Sequence, residues 1–297
     1  MQEISLLDAQ RATQAPVSDT KAVSKPSAPT RMAISLAYDG SGWQGWQTQP
    51  GGNTLQDTFE AAASQFLAHK VATICAGRTD TGVHALSQIV HLDTTASRSD
   101  ESWVRGLNAL LPPGVAVQWA VQVPQSFHAR FSAQSRTYVY IVRNTRVRSP
   151  LQHARAGWVY HALDVERMQA AGALLTGTHD FSSFRSSQCQ AASPTRTMQA
   201  VEIRRQGEFI LFRFTANAFL HHMIRNLMGA LLYIGMQRQP VEWINELLAQ
   251  KDRRYAAPTF AADGLYLAHV DYGDSAPLPV CDWRVDLYSH TGIVFPE

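Results

Sequence analysis

The sequence predicts an α+β fold in which two similar β-α-β-β-α-β halves form a mainly antiparallel sheet with helices on one face. Three observations carry this. Short β-branched and aromatic runs alternate with stretches whose apolar residues recur at helical spacing. The order of these signals runs once through residues 31–128 and starts again through 129–273. The 297 residues are 45% hydrophobic and 17% charged, an ordinary globular composition with ample material for a core.

The elements follow in chain order. Residues 1–30 are rich in Ala, Ser, Gln, Pro and Thr and lack an apolar period, so they read as a disordered tail. Glu3, Asp8 and Asp19 make them a poor signal or transit peptide. Arg31 to Tyr38 reads as a strand ending in the turn Asp39-Gly40-Ser41-Gly42. A helix starts near Thr54, where Thr54 and Asp57 resemble a capping box, and Leu55, Phe59, Ala62 and Phe66 share one face. Val71–Ala76 and Gln88–Leu92 read as short strands on either side of the polar loop Gly77 to His84. A helix from Glu101 to Leu110 is stopped by Pro112-Pro113-Gly114, and Val115 to Val123 is a strand closed by Pro124.

In the second half, Arg136 to Arg143 is a strand, and Asp164 N-caps a helix that runs to Leu175 before Gly177. Met198–Arg204 and Phe209–Phe214 form a hairpin around Gln206-Gly207. Phe219–Ile234 and Val241–Ala249 read as helices and Gly264–Val270 as the last strand; 274–297 is a C-terminal tail with no assigned element. Two such units can join into one sheet with a cleft across the middle.

Net charge is only +2, but the basic residues are segregated. Between Glu101 and Asp164 there is no acid, while Arg105, Arg130, Arg136, Arg143, Arg146, Arg148 and Arg155 fall inside. The stretch from Glu208 to Glu242 is also acid-free and carries Arg213, Arg225, Arg238 and the pair His221/His222. Segregated arginines are the footprint of a polyanion, with a solvated basic face as the plainer reading. Cys75, Cys189 and Cys281 are far apart with no zinc spacing, which argues against a disulfide framework and fits a reducing cytoplasm. No apolar run is long enough to span a bilayer.

The loop Gly77-Arg78-Thr79-Asp80-Thr81-Gly82-Val83-His84-Ala85 is the most unusual segment. Two glycines frame an Arg and an Asp between apolar strands, which is how a scaffold presents a carboxylate at a cleft, and Arg78 could hold Asp80 ionised. An Asp bonded to its own backbone in an Asx-turn suits the same residues.

GRTDTGVHA resembles the catalytic loop of the tRNA pseudouridine synthase I family, which modifies uridines 38 to 40 of the anticodon arm. Five further strings resemble that family in the same order: YDGSGWQGWQ (38–47), FHARFSAQSRTYVY (127–140), CQAASPTR (189–196), ANAFLHHMIRN (216–226) and DGLYL (263–267). Together they span about Arg31 to Tyr272. The resemblance implies two α/β halves around a basic central cleft, tRNA as partner, a homodimer, and no cofactor or metal. It implies Asp80 as the essential carboxylate and Arg78 as a residue that holds RNA where the target base is extruded. It makes Tyr138 the stacking platform for that base, Leu265 a packing residue for the base or for Tyr138, and Arg225 a basic partner of Asp80 or of a phosphate. Thr81 departs from the pattern, where alanine is expected, without removing a reactive group.

The chemistry suits these residue types. Pseudouridine formation breaks N1–C1′, turns the uracil and joins C5 to C1′, with no redox change or phosphoryl transfer. A carboxylate can attack uracil C6, attack C1′, or abstract a sugar proton; all three routes are open. A non-catalytic RNA-binding module or tRNA chaperone on the same fold would share the basic residues but has no need of Asp80, and a nucleoside hydrolase would release free uracil. His221 and His222 are expected to point to different sides of a helix, too far apart in direction to share a metal. Trp43 and Trp46 could stack on bases or anchor their turn in the core.

Overall fold

A computed structural model describes residues 28–276, 278–279, 281–284 and 287. The expected N-terminal tail therefore lies, but for its last three residues, outside the described residues. The elements are β1 (Thr30–Tyr38), α1 (Leu55–Leu67), β2 (Ile74–Cys75), β3 (His84–Thr94), α2 (Asp100–Asn108), β4 (Val115–Val123) and β5 (Ser135–Asn144). They continue with β6 (Gly157–Val159), α3 (Val165–Ala173), β7 (Gly177–Asp180), β8 (Thr195–Gln206), β9 (Phe209–Ala216), α4 (Met223–Gly235), α5 (Trp243–Gln250) and β10 (Leu265–Asp271).

All ten strands join one sheet in the order β4-β1-β3-β10-β5-β9-β8-β7, with β2 on β3 and β6 on β5. The pairings are antiparallel except β10–β3 and β5–β6. Strands 1 to 4 are arranged 4-1-3-2, and β5, β8, β9 and β10 repeat that arrangement as β10-β5-β9-β8. The short parallel pairing of Tyr266 with His84 and Leu267 with Ala85 joins the two sets.

Local chemistry fixes the helix starts. Thr54, Ser99 and Asp164 each accept a hydrogen bond from the backbone N–H three residues on, capping α1, α2 and α3, at about 1 kcal/mol per cap. On one face of the sheet, Tyr138, Tyr140 and Val142 of β5 bury with Met168 of α3 and Leu227 and Leu231 of α4. Their neighbours Val139 and Ile141 point to the opposite face, as the two-residue strand period requires, and meet Trp283 and Leu287. The C-terminal segment, expected to carry no element, thus supplies buried side chains to the second face.

Several bounds differ from the sequence expectation. Only Ile74–Cys75 of the expected strand 71–76 is paired. The next strand is longer than expected, running from His84 to Thr94, and within it Gln88 is fully buried and donates to Gly77 O at 2.6 Å. β6 and β7, of three and four residues, have no counterpart in the sequence expectation. The helix expected from Phe219 begins at Met223, because His222 sits in the left-handed region at φ 61° and interrupts the helical backbone.

Candidate active site

Residues 76–83, which connect β2 to β3, form a loop held by both backbone and side-chain contacts. Thr79 O accepts from Trp46 N at 3.0 Å, and Val83 N donates to Asp80 O at 3.1 Å. The β1–α1 connection passes so close beneath that only glycine fits at two points. A Cβ on Gly40 would stand 2.0 Å from Val83 O, and one on Gly45, at φ +82°, would stand 2.8 Å from Thr79 O. Tyr38 Oη lies 2.9 Å from Thr79 Oγ1, and Arg136 Nη2 donates to Ala76 O at 3.0 Å. The YDGSGWQGWQ string is therefore a socket for the loop. Trp46 is 2% exposed and anchors that socket in the core.

The loop points Asp80 at the chain between Phe219 and the first turn of α4. His221 Nε2 lies 3.4 Å from Asp80 Oδ1, while His222 Nε2 and Arg225 Nη1 lie 3.5 Å and 3.4 Å from Oδ2. Burial pushes the Asp80 carboxyl up, but the His221 hydrogen bond and the charges of His222, His221 and Arg225 outweigh it and hold it below the usual carboxylate range. Burial also depresses His222, against the opposing pull of Asp80. Arg225 is fixed by its Nε donating to Phe260 O at 3.0 Å.

The structure corrects two expectations. Arg78 is exposed and is not among the groups that depress Asp80; those groups come from 141 to 145 residues later. The adjacent histidines do not diverge on a helix either. With His222 outside α4, their rings lie 4.0 Å apart and both face Asp80. Ligand atoms of Asp80, His221 and His222 fall within 4.8 Å of one another, a spacing a metal ion could use. The guanidinium of Arg225 on Oδ2 counts against a second cation there.

Tyr138 is buried on β5, its ring meeting Phe219 edge-on at 5.2 Å between centroids. Burial pushes its hydroxyl well above the ordinary tyrosine value, so it stays protonated. A Cβ on Gly77 would meet Tyr138 Oη at 3.8 Å, which places the ring beneath the start of the Asp80 loop. Leu265 is buried on β10 opposite Tyr140, whereas Leu267 is the residue directly opposite Tyr138. Gly264, at φ +83°, lets β10 approach, since a Cβ there would stand 2.4 Å from Ile141 O.

Part of the basic footprint is structural. Arg143 pairs with Glu208 and Arg213 with Glu202, acids brought in from outside the basic stretches, and Arg105 pairs with Glu101 one helical turn before it. Arg136 is buried on the carbonyls of Ala76, Arg130, Ala133 and Asn217. Phe131 remains 75% exposed at the end of this loop, with Arg130 over its ring. Sequence reasoning missed the roles of Gly40, Gly45, Gln88 and the histidine pair; the only signal for the pair was an unexplained HH beside an apolar run.

The chemistry available is that of a fixed carboxylate held in its ionised form beside a buried aromatic ring. No helix among the described residues is long and apolar enough to cross a membrane. Residues 34–132 and 171–273 match a family model described as tRNA pseudouridine synthase. The chain is 62% identical over 244 residues to tRNA pseudouridine synthase A of Bordetella petrii, covering 82% of this chain and 91% of that protein. It is 58% identical over 249 residues to the protein of that name from Paraburkholderia xenovorans, covering 84% and 92%. With the one from Herminiimonas arsenicoxydans it shares 53% identity over 263 residues, covering 87% and 96%.

Proposed function

The chain belongs to the tRNA pseudouridine synthase family, and from that premise we propose that it converts uridines 38 to 40 of the tRNA anticodon stem-loop to pseudouridine with Asp80 as the essential carboxylate. As a member of that family it is an isomerase acting on uridine in tRNA. The observation that carries the assignment of Asp80 is its ion cluster: a carboxylate kept ionised by three cationic or polar partners at the seam where the two sets of strands meet. Each of the three routes open to it needs the charged form within reach of uracil C6, the ribose C1′ or a ribose proton.

The remaining residues divide the work. The target uridine leaves its stack at a cost of a few kcal/mol, and Tyr138 recovers part of it, at about 1–3 kcal/mol for a stacked base. Leu265 extends the apolar floor on the same sheet face as Tyr138. Exposed Arg78, two residues from Asp80, takes RNA as the base is extruded. Arg225 steadies Asp80 and answers the negative charge of nearby phosphates. Bond making and breaking balance within the nucleotide: N1–C1′ breaks, C5–C1′ forms, the proton on C5 is lost and one is gained at N1. No electron acceptor or metal enters this balance. The protein acts in the cytoplasm as a homodimer, and sedimentation at micromolar concentration should give twice the chain mass; a monomer alone would remove the dimer.

The test is incubation of the purified chain, without metal or nucleotide, with an unmodified tRNA transcript bearing anticodon-arm uridines, followed by carbodiimide mapping. Adducts at 38 to 40 are expected from the wild type. Asp80→Asn should lower the rate by about 10⁴-fold or more, while tRNA affinity stays within about threefold. Tight binding with no adduct would leave only an RNA-binding module, and adducts at other positions would overturn the substrate site.

A further inference from the structure

Beside the Asp80 cluster lies an open hollow of about 510 Å³ bounded by Ser182, Arg185, Ser187, His222, Arg253 and Thr259. None of the residues around it carries a carboxylate. Both guanidiniums are locked in place by neutral acceptors alone. Arg185 Nη2 donates to Cys189 O at 2.6 Å and to Ala191 O at 3.1 Å. Arg253 donates to Ala256 O, Asn226 Oδ1 and Thr259 Oγ1, at 3.1 to 3.2 Å.

Elsewhere in this chain, well-placed arginines meet acids: Arg31 with Asp93, Arg143 with Glu208, Arg213 with Glu202 and Arg254 with Asp252. The carboxylate nearest in sequence to Arg253, Asp252, is taken by Arg254. Burial works against the charge of Arg253, and no acid compensates it. Two preorganised cations with uncompensated charge, facing one hollow with the hydroxyls of Ser182 and Ser187, make a receptor for an anion supplied from outside. Every residue that lines the hollow has a polar side chain, which suits a solvated oxyanion rather than an apolar ring.

His222 fixes where that anion sits relative to the chemistry. It lines the hollow, and its Nε2 is 3.5 Å from Asp80 Oδ2. An anion in the hollow is therefore one imidazole away from the carboxylate, as a backbone phosphate is close to the C1′ of its own nucleotide. We infer that the Arg185–Arg253 hollow is the seat of an RNA phosphodiester that flanks the target uridine and sets the position of its C1′ over Asp80. This rests on the reading of the chain as a tRNA-modifying enzyme.

The test uses the full-length protein and an anticodon stem-loop RNA in which single phosphates flanking the target uridine are replaced by neutral methylphosphonates. At one such position the wild type should bind about tenfold more weakly. Ser187→Asp, at an exposed position, places a carboxylate in the hollow. It should raise KM for the unmodified RNA about tenfold and show no further loss with the methylphosphonate. Arg185→Gln should repeat this pattern and flatten the slope of log Kd against log salt by about 0.7 to 0.9. Unchanged KM in a folded Ser187→Asp, or an equal methylphosphonate loss in wild type and variant, would overturn the seat. If inorganic phosphate competes for the hollow while no methylphosphonate matters, the site binds a free anion and the RNA assignment falls. Absence of pseudouridine from the wild type would instead sink the proposed function, and the binding comparison would still decide the fate of the hollow.

Discussion

The hairpin β2–β3 and its counterpart β8–β9 occupy the same place in the two 4-1-3-2 sets of strands, and they have diverged completely. β8 and β9 pair along most of their length, from Met198 with Ala216 to Gln206 with Phe209, around the two-residue turn Gly207-Glu208. β2 pairs only at Ile74 and Cys75, opposite His91 and Val90. The edge of β3 that a full-length β2 would cover is left open at its N-terminal end, and there β10 docks through His84 and Ala85. The residues after Ala76, whose N–H still donates to Ile89 O at 2.8 Å, become the Asp80 loop. One shortened strand thus joins the two sets of strands and places a carboxylate at their seam. The complete hairpin is a structural turn; the truncated one holds a site.

This contrast is sharpest where backbone meets backbone. Gly40→Ala would put a Cβ 2.0 Å from Val83 O, and no side-chain rotation relieves such a clash. The Asp80 loop must lift from its socket. Overpacking of this kind costs about 1–3 kcal/mol, and a displacement on the order of 1 Å at a reacting group costs roughly 10²-fold in rate. The expected result is a fall of about 10²-fold in kcat with a smaller change in KM, alongside a lowered Tm. A Gly40→Ala protein of wild-type kcat would show that the loop is not set by its socket.

The loop and the later strands make separate contributions, and pH tells them apart. Asp80 arrives on the truncated hairpin, but the groups that keep it ionised, His221, His222 and Arg225, follow β9. A folded pKa below the unfolded one contributes stability at pH values above the unfolded pKa, and loses it as pH falls through the folded pKa. The acidic limb of kcat/KM belonging to Asp80 should therefore lie below the ordinary aspartate value of about 4. Arg225→Met removes one of the depressing charges and leaves burial to push upward, so the limb should move up. Arg225→Lys keeps the charge and should hold the limb in place even if kcat falls through the lost bond to Phe260 O. A limb that does not move in the Met variant would mean that Arg225 does not control Asp80.

The same division explains how much the sequence could tell. The strands β1, β4 and β5, the caps at Thr54 and Asp164, and the β8–β9 hairpin were legible because period, caps and turn residues are local signals. Asp80 was legible as a carboxylate in a glycine-framed loop. Its histidine partners were not, and Arg225, 145 residues away and 3.4 Å distant, was reached through the family resemblance rather than local pattern, whereas Arg78, two residues away in the chain, is exposed. The apolar pattern from Phe219 onward hid the break at His222, since a single left-handed residue leaves no mark on hydrophobic periodicity. β2 read as six residues because Val71 and Ala76 are apolar, but what ends it is competition for the edge of β3 from β10, which comes nearly 200 residues later.

The smallest effect belongs to the complete hairpin. Gly207 has φ +58°, and a Cβ added there would have nothing within 4 Å, so Gly207→Ala meets no clash and costs only the left-handed backbone, about 1 kcal/mol. For a chain of this size that lowers Tm by roughly 2–4 °C. kcat and KM should stay within twofold of wild type, because the turn transmits nothing to Asp80. The pair Gly40→Ala and Gly207→Ala then isolates the comparison: both replace a glycine by the same methyl group, next to structurally equivalent hairpins. If Gly207→Ala also depressed kcat by an order of magnitude, the two hairpins would be coupled through β9 and β5. The site would then depend on the rigidity of the whole sheet rather than on the socket under its loop.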